Sequence, residues 1–224
     1  MTRTRFHEEL EELKGKLLRM AGLAEQAVDR AVAAYAARDQ QQCELVFDGE
    51  PAINACEREI DELALDLLAM QQPMAVDLRF ILAVIKINAD LERVGDQAVN
   101  VVQRVQAMLK TAAAELPADI PVMGKTASKM IHNALQAFVY ADPVSAEQVL
   151  TMDDEVDLMN REIESRMLDV IQKNPAATHQ ALDTLLIARN LERVADHATN
   201  IAEDIIFWLR GADVRHGGSH NAAQ

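Results

Sequence analysis

The string Leu91-Glu92-Arg93-Val94-Gly95-Asp96-Gln97-Ala98-Val99-Asn100 returns a hundred residues later as Leu191-Glu192-Arg193-Val194-Ala195-Asp196-His197-Ala198-Thr199-Asn200, with seven of the ten positions identical. Apolar identities alone would say little, because any two amphipathic helices share them. The shared Glu, Arg, Asp and Asn are not demanded by a core, so the chain reads as two copies of one unit. Glu57-Arg58-Glu59-Ile60 aligns in the same way with Asn160-Arg161-Glu162-Ile163, and Pro73 with Pro175.

Each copy is helical by pattern. Apolar residues recur at helical spacing in Leu10, Leu13, Leu17, Met20, Leu23, Ala27 and Ala31, which predicts a first helix over Arg5–Ala37. A second is expected from Asp39 to Met70, kinked or interrupted at Gly49-Glu50-Pro51, because Pro51 cannot donate and crowds the preceding turn. Pro73 is expected to open a third helix running to Thr111 along the seam Ile87, Leu91, Val94, Ala98, Val101 and Val105. After the Leu116–Pro121 linker come a fourth helix over Val122–Tyr140, a fifth from Asp142-Pro143 to Lys173, and a sixth from Asn174-Pro175 to Leu209, which Gly211 stops. Short connections between three long helices imply an all-α chain of two tandem antiparallel three-helix bundles related by approximate two-fold symmetry. The first repeat is placed at 1–115, the second at 119–211, and a Gly/His/Asn/Ala-rich tail at 212–224 is expected to be disordered. Hairpin punctuation is missing: Asp48-Gly49 sits inside helix-like sequence.

The formal net charge of −14, without a dense Lys/Arg stripe, argues against direct nucleic-acid binding. Excess carboxylate suits a cation or a basic partner, and it also serves solubility. Cys43 and Cys56 have no zinc-site spacing and read as free helix thiols. The start of the chain has no apolar signal region and no apolar run reaches membrane-spanning length, so a cytoplasmic protein without direct membrane insertion is expected.

Helical spacing puts Glu92, Asp96 and Asn100 on one line, and Glu192, Asp196, Asn200 and Asp204 on the matching line. Both lines point away from the apolar seam, onto an outer face. The preceding helix of each half offers a second line: Glu50 and Asn54, with Asp48 nearby, in one copy and Asp153 and Asp157 in the other. A groove between antiparallel neighbours would join the two lines. Such an oxygen-rich set suits Fe, Mn, Mg or Ca better than zinc, whose usual Cys and His ligands are missing. A single ExxxD on a helix is ordinarily just a solvated face; its duplication is what raises it above that. Arg93 and Arg193 can be explained as surface ion pairs, and Gly95 as room for close helix approach. His197, next to Asp196, reads as a bundle-edge residue rather than a ligand. There is no Glu-x-x-His, HExxH, P-loop or GxGxxG, and no nucleophile–base pair, so an enzyme is not expected.

The two strings DLERVGD and NLERVAD, with Met20-Ala21-Gly22-Leu23, Gln72-Pro73-Met74-Ala75-Val76-Asp77-Leu78-Arg79 and His197-Ala198-Thr199-Asn200-Ile201-Ala202-Glu203-Asp204, resemble the PhoU family over about residues 5–210. The resemblance implies two three-helix bundles with surface metal clusters, iron or zinc in some members. It implies negative regulation of the phosphate regulon and of high-affinity phosphate uptake, with the protein linking the Pst transporter ATPase to the membrane histidine kinase PhoR. It also implies a homodimer at the inner face of the membrane, held there by protein partners. Carried over by position, the ligands are Asp90, Glu92, Asp96 and Asn100 in the first half. In the second they are Glu192, Asp196, Asn200 and Asp204, with Asp153 and Asp157. The copies depart from each other where Asn190 matches Asp90 and Arg104 matches Asp204, so the two sites are expected to be unequal. Asp77 and Arg79, which have no counterpart after Pro175, are expected either to cap the third helix or to belong to a partner surface. The alternative reading is a metal-free helical adaptor that meets a basic partner with the same acidic faces.

Overall fold

The fold is taken from a computed structural model, which describes residues 3–114, 116 and 118–211; the tail at 212–224 and Pro117 of the linker lie outside the described residues. Six long helices follow in order: α1 (Arg3–Ala37), α2 (Gln40–Gln71), α3 (Val76–Leu109), α4 (Ile120–Tyr140), α5 (Pro143–Lys173) and α6 (Thr178–Arg210), with one 3₁₀ turn at Pro175–Ala177. Among the described residues there is no strand.

Equivalent residues start equivalent helices. Asp39 accepts from the backbone N–H of Gln41 at 2.8 Å, and Asp142 from that of Val144 at 3.0 Å, so α2 and α5 begin on twin N-caps. Pro121 and Pro143 sit in the first turn of α4 and α5, where a missing N–H costs nothing. Two expectations fail. Helix α2 runs unbroken through Pro51: a proline in a helix interior costs about 3 kcal/mol, and the buried apolar row Val46, Ile53, Cys56 and Ile60 on either side holds the helix together. Pro73 does not open α3. Gln72 takes the left-handed conformation that ends α2, Ala75 has φ 44°, and the helix begins only at Val76. A residue before proline is pushed out of the helical region, so the helix cannot run across this step. Pro175, by contrast, does lead directly into its helix through the 3₁₀ turn.

Within each half the three helices pack on one another, and between halves α3 lies on α6 and α1 on α4. The four make a ring, with α2 and α5 seated outside it, each touching only helices of its own half. Lys14 donates to the Val139 carbonyl at 3.2 Å, which pins the start of α1 beside the end of α4. Buried apolar residues of all six helices form one continuous core, so the halves share an interior rather than closing separately. At one end, Trp208 packs on Phe80 and Phe138, and Arg79 donates to the Trp208 carbonyl at 3.1 Å. Arg79 thus serves the end of α6, not α3. At the other end Gln180 clamps the inter-repeat linker, accepting from the Ala114 N–H at 3.1 Å and donating to Thr111 and Ala112.

Small residues set the closest approaches. A Cβ on Gly124 would lie 2.3 Å from Val32 Cγ2 where α4 meets α1, which excludes any side chain there. A Cβ on Gly95 would lie 3.0 Å from Ile53 Cδ1, the mobile end of a side chain on α2. Cys43 and Cys56 are buried free thiols.

Candidate metal and docking site

Helix α3 leans on α2 along its outer edge, and α6 leans on α5 in the same way. In the first groove Glu92 is half-buried and its carboxyl sits above the ordinary range, because burial disfavours its charge and Asp96, Glu57 and Glu50 repel it while Arg93 partly offsets them. Asn54 donates to Glu50 at 3.4 Å on the α2 side. In the second groove Asp153 is pushed up to about 6, by burial first and then by Asp196, Asp157, Asp154 and Glu192. Glu192 and Asp196 are also raised, burial leading in both. Asn160 donates to Glu192 and Arg189 lies near enough to lower it, while His197 and Arg193 temper Asp196. The groove therefore does bring the two expected lines together: Glu50, Asn54, Glu92 and Asp96 in one half, Asp153, Asp157, Glu192 and Asp196 in the other.

Three expected ligands point elsewhere. Asp90 is turned inward at the α3–α6 contact, where His197 Nδ1 approaches its Oδ1 at 2.9 Å, Asn200 donates to it at 3.3 Å and the Arg93 guanidinium is 3.9 Å away. Asp204 is buried in the same interface and accepts from Lys86 at 3.0 Å. Asn200 is occupied by Asp90. Asn100 is half-buried, a full turn beyond Asp96. The reason is angular. Asp90 and Glu92 are two residues apart and so nearly opposite on the helix, and an i, i+4 row drifts around the axis until Asn200 and Asp204 face α3. His197, set aside as an edge residue, is instead a partner across the two halves.

Two residues escaped the sequence reading: Glu57 in the first groove and Asn160 in the second. The signal was present, since Glu57 aligns with Asn160 and lies one helical face with Glu50 and Asn54.

As a donor set, carboxylates plus amide oxygens fit a hard or borderline cation, and the raised carboxyls show repulsion that a cation would relieve. Among the described residues no three His, Cys, Asp or Glu side chains already converge on a metal-sized point. No helix of the described residues is long and apolar enough to cross a membrane.

The PhoU domain family model matches the chain twice, at residues 17–105 and 120–205. A phosphate-specific transport system accessory protein PhoU homologue of Pseudomonas aeruginosa is 36% identical, the match covering 95% of this chain and 88% of that one. Its counterpart in Caulobacter vibrioides is 37% identical over 93% of this chain and 91% of its own. The crystal structure of PhoU from Pseudomonas aeruginosa superposes with a TM-score of 0.88 at 35% identity, covering 92% of this chain and 100% of that one. The phosphate transport system regulatory protein PhoU from Streptococcus pneumoniae superposes with a TM-score of 0.86 at 27% identity, covering 93% and 99%. PhoU is a family of regulatory accessory proteins, not of enzymes. With both halves of the chain matched and the whole fold shared, this protein belongs to the PhoU family.

Proposed function

We propose that the protein is a negative regulator of phosphate uptake and phosphate-starvation signalling, acting as an adaptor between a Pst-type transporter ATPase and the PhoR histidine kinase. Family membership and the accessory role named for its relatives support this reading. With no membrane-crossing helix among the described residues, recruitment to the inner face of the membrane runs through protein contacts. The observation that carries the mechanism is the pair of crowded carboxylate grooves, above all Asp153, whose pKa is pushed up to about 6. Glu50, Asn54, Glu57, Glu92 and Asp96 would hold one metal ion or cluster, and Asp153, Asp157, Asn160, Glu192 and Asp196 the other. Iron, zinc, magnesium, manganese and calcium are all compatible with oxygen donors. The metal supplies positive charge that locks α2 to α3 and α5 to α6, so that each groove becomes a rigid docking face.

Deletion in the native host tests the regulatory reading: alkaline phosphatase and phosphate uptake should rise in phosphate-rich medium, and a strain without derepression removes it. Elemental analysis of tag-free protein prepared without chelator tests the metal. The metal-free adaptor stays as the second reading because among the described residues no carboxylate triad is preformed; a metal-free protein that still represses would establish it.

A further inference from the structure

Beside the second acidic cluster, the groove between α5 and α6 continues as a cleft of about 390 Å³ lined by Asn160, Glu164, Leu168, Leu185, Leu186, Arg189 and Glu192. Leu168 is 49% exposed and Leu186 40%, and Leu182, one turn earlier on α6, is 45% exposed. Leu182 and Leu186 are four residues apart and so stand on one line of α6. Single exposed leucines are ordinary, but Leu168 and Leu186 line one cleft together, beside charge, and offer an apolar seat for a partner. The fold does not require leucine at this place. In the first half the aligned residue is Lys86, which pairs with Asp204 at 3.0 Å and lies 5.3 Å over the Phe207 ring. In the second half the same place carries an outward-facing apolar side chain.

We infer that the α5–α6 groove is the docking site for an amphipathic helix of a partner protein. The apolar positions of that helix, spaced i, i+4, enter between Leu168 and Leu186, and a basic side chain reaches the Glu164 carboxylate, which lies outside the set assigned to metal. The inference rests on the proposed adaptor role and names the partner chemistry for one of its two faces. Charge sets the sign of the partner: the chain carries −14 overall, and in the cleft lining, Glu164 and Glu192 outnumber the one basic residue there, Arg189. Length fixes its form, since a groove between two long helices accepts a helix laid along it.

The probe is a dye-labelled synthetic peptide on an alanine background, with leucines at i, i+4 and i+7 and arginines one turn beyond, read by fluorescence anisotropy at about 150 mM salt. The control peptide has the same composition scrambled. The patterned peptide should bind about tenfold or more tightly than the scrambled one, and Leu168→Ser with Leu186→Ser should weaken it by about tenfold while leaving bound metal and helical circular dichroism unchanged. Leu65→Ser with Leu82→Ser, on the twin groove, should leave the affinity as it was. Equal binding of both peptides, or full binding by the Leu168/Leu186 variant, overturns the inference. So does a variant that turns a dimer into a monomer in sedimentation, since the groove would then be a contact between copies. In the host, the Leu168/Leu186 variant should derepress alkaline phosphatase as the deletion does. Full repression by that variant overturns the groove and leaves the regulatory reading standing, whereas a silent deletion removes that reading and leaves the peptide to decide the groove.

Discussion

The two acidic grooves hold equivalent places in the fold, yet they are built from different acids. The first faces two glutamates and an asparagine of α2 with Glu92 and Asp96; the second faces Asp153, Asp157 and Asn160 of α5 with Glu192 and Asp196. Aspartates are shorter and hold their charge closer to the backbone, so the same groove becomes more crowded. Only in the second does one carboxyl rise as far as about 6. Duplication preserved the frame that brings two helices together, and divergence changed how much unrelieved charge the frame holds.

If that difference matters, metal should follow it. Asp153→Asn with Asp196→Asn should empty the second groove and leave metal in the first, while Glu92→Gln with Asp96→Asn should do the reverse and spare the tighter site. Elemental analysis after dialysis against graded chelator checks this, with about tenfold or more between the chelator concentrations that strip the two sites. Equal loss from both would erase the distinction between them.

The halves also differ where they meet. Asp90 is buried with His197 and Asn200 as partners, whereas its twin Asn190 is half-buried and turns back to the Leu186 carbonyl of its own helix at 2.6 Å. Asp90→Ala takes away the shared partner of two half-buried groups, His197 and Asn200, and should cost about 1 kcal/mol. Asn190→Ala removes a bond that competes with the helix and should change stability by no more than about 0.5 kcal/mol. Urea unfolding of both variants makes the comparison, and similar midpoints would show that Asp90 does not hold α3 to α6.

The frame was readable from sequence, since periodicity, twin caps and the repeated string need only local rules. Half of each site was readable too. Spacing alone put Glu92 with Asp96 and Asp153 with Asp157. What it could not give was the direction each acid faces, because a two-residue step reverses the face and an i, i+4 row drifts. Asp90, Asn200 and Asp204 therefore went to the wrong surface, and only the α3–α6 contact, a long-range pairing with no local signature, shows why. Glu57 carries no repeated acidic signal, because its twin Asn160 is an amide instead of an acid. The unbroken helix at Pro51 is the same lesson in the backbone: packing on both sides overrode a local penalty.

The smallest effect isolates charge crowding from everything else. In metal-free protein Asp153 titrates near 6 instead of near its ordinary value of 3.8, so its ionisation opposes folding. A raised folded-state pKa contributes stability that is fully present below the ordinary value and is lost as pH rises through about 6. Asp153→Asn should therefore stabilise the metal-free protein at pH 7 to 8, by less than about 1 kcal/mol because solvent screens a groove, and the gain should shrink as pH falls toward about 4. Glu92→Gln, at the raised carboxyl of the less crowded groove, should show a smaller gain. Bound metal should reverse the sign for Asp153→Asn, since a carboxylate that repels its neighbours becomes a ligand once a cation sits among them. Thermal unfolding of both variants across pH, with and without metal, measures this. A gain at Asp153 that does not depend on pH would mean that packing, not charge, separates the two grooves.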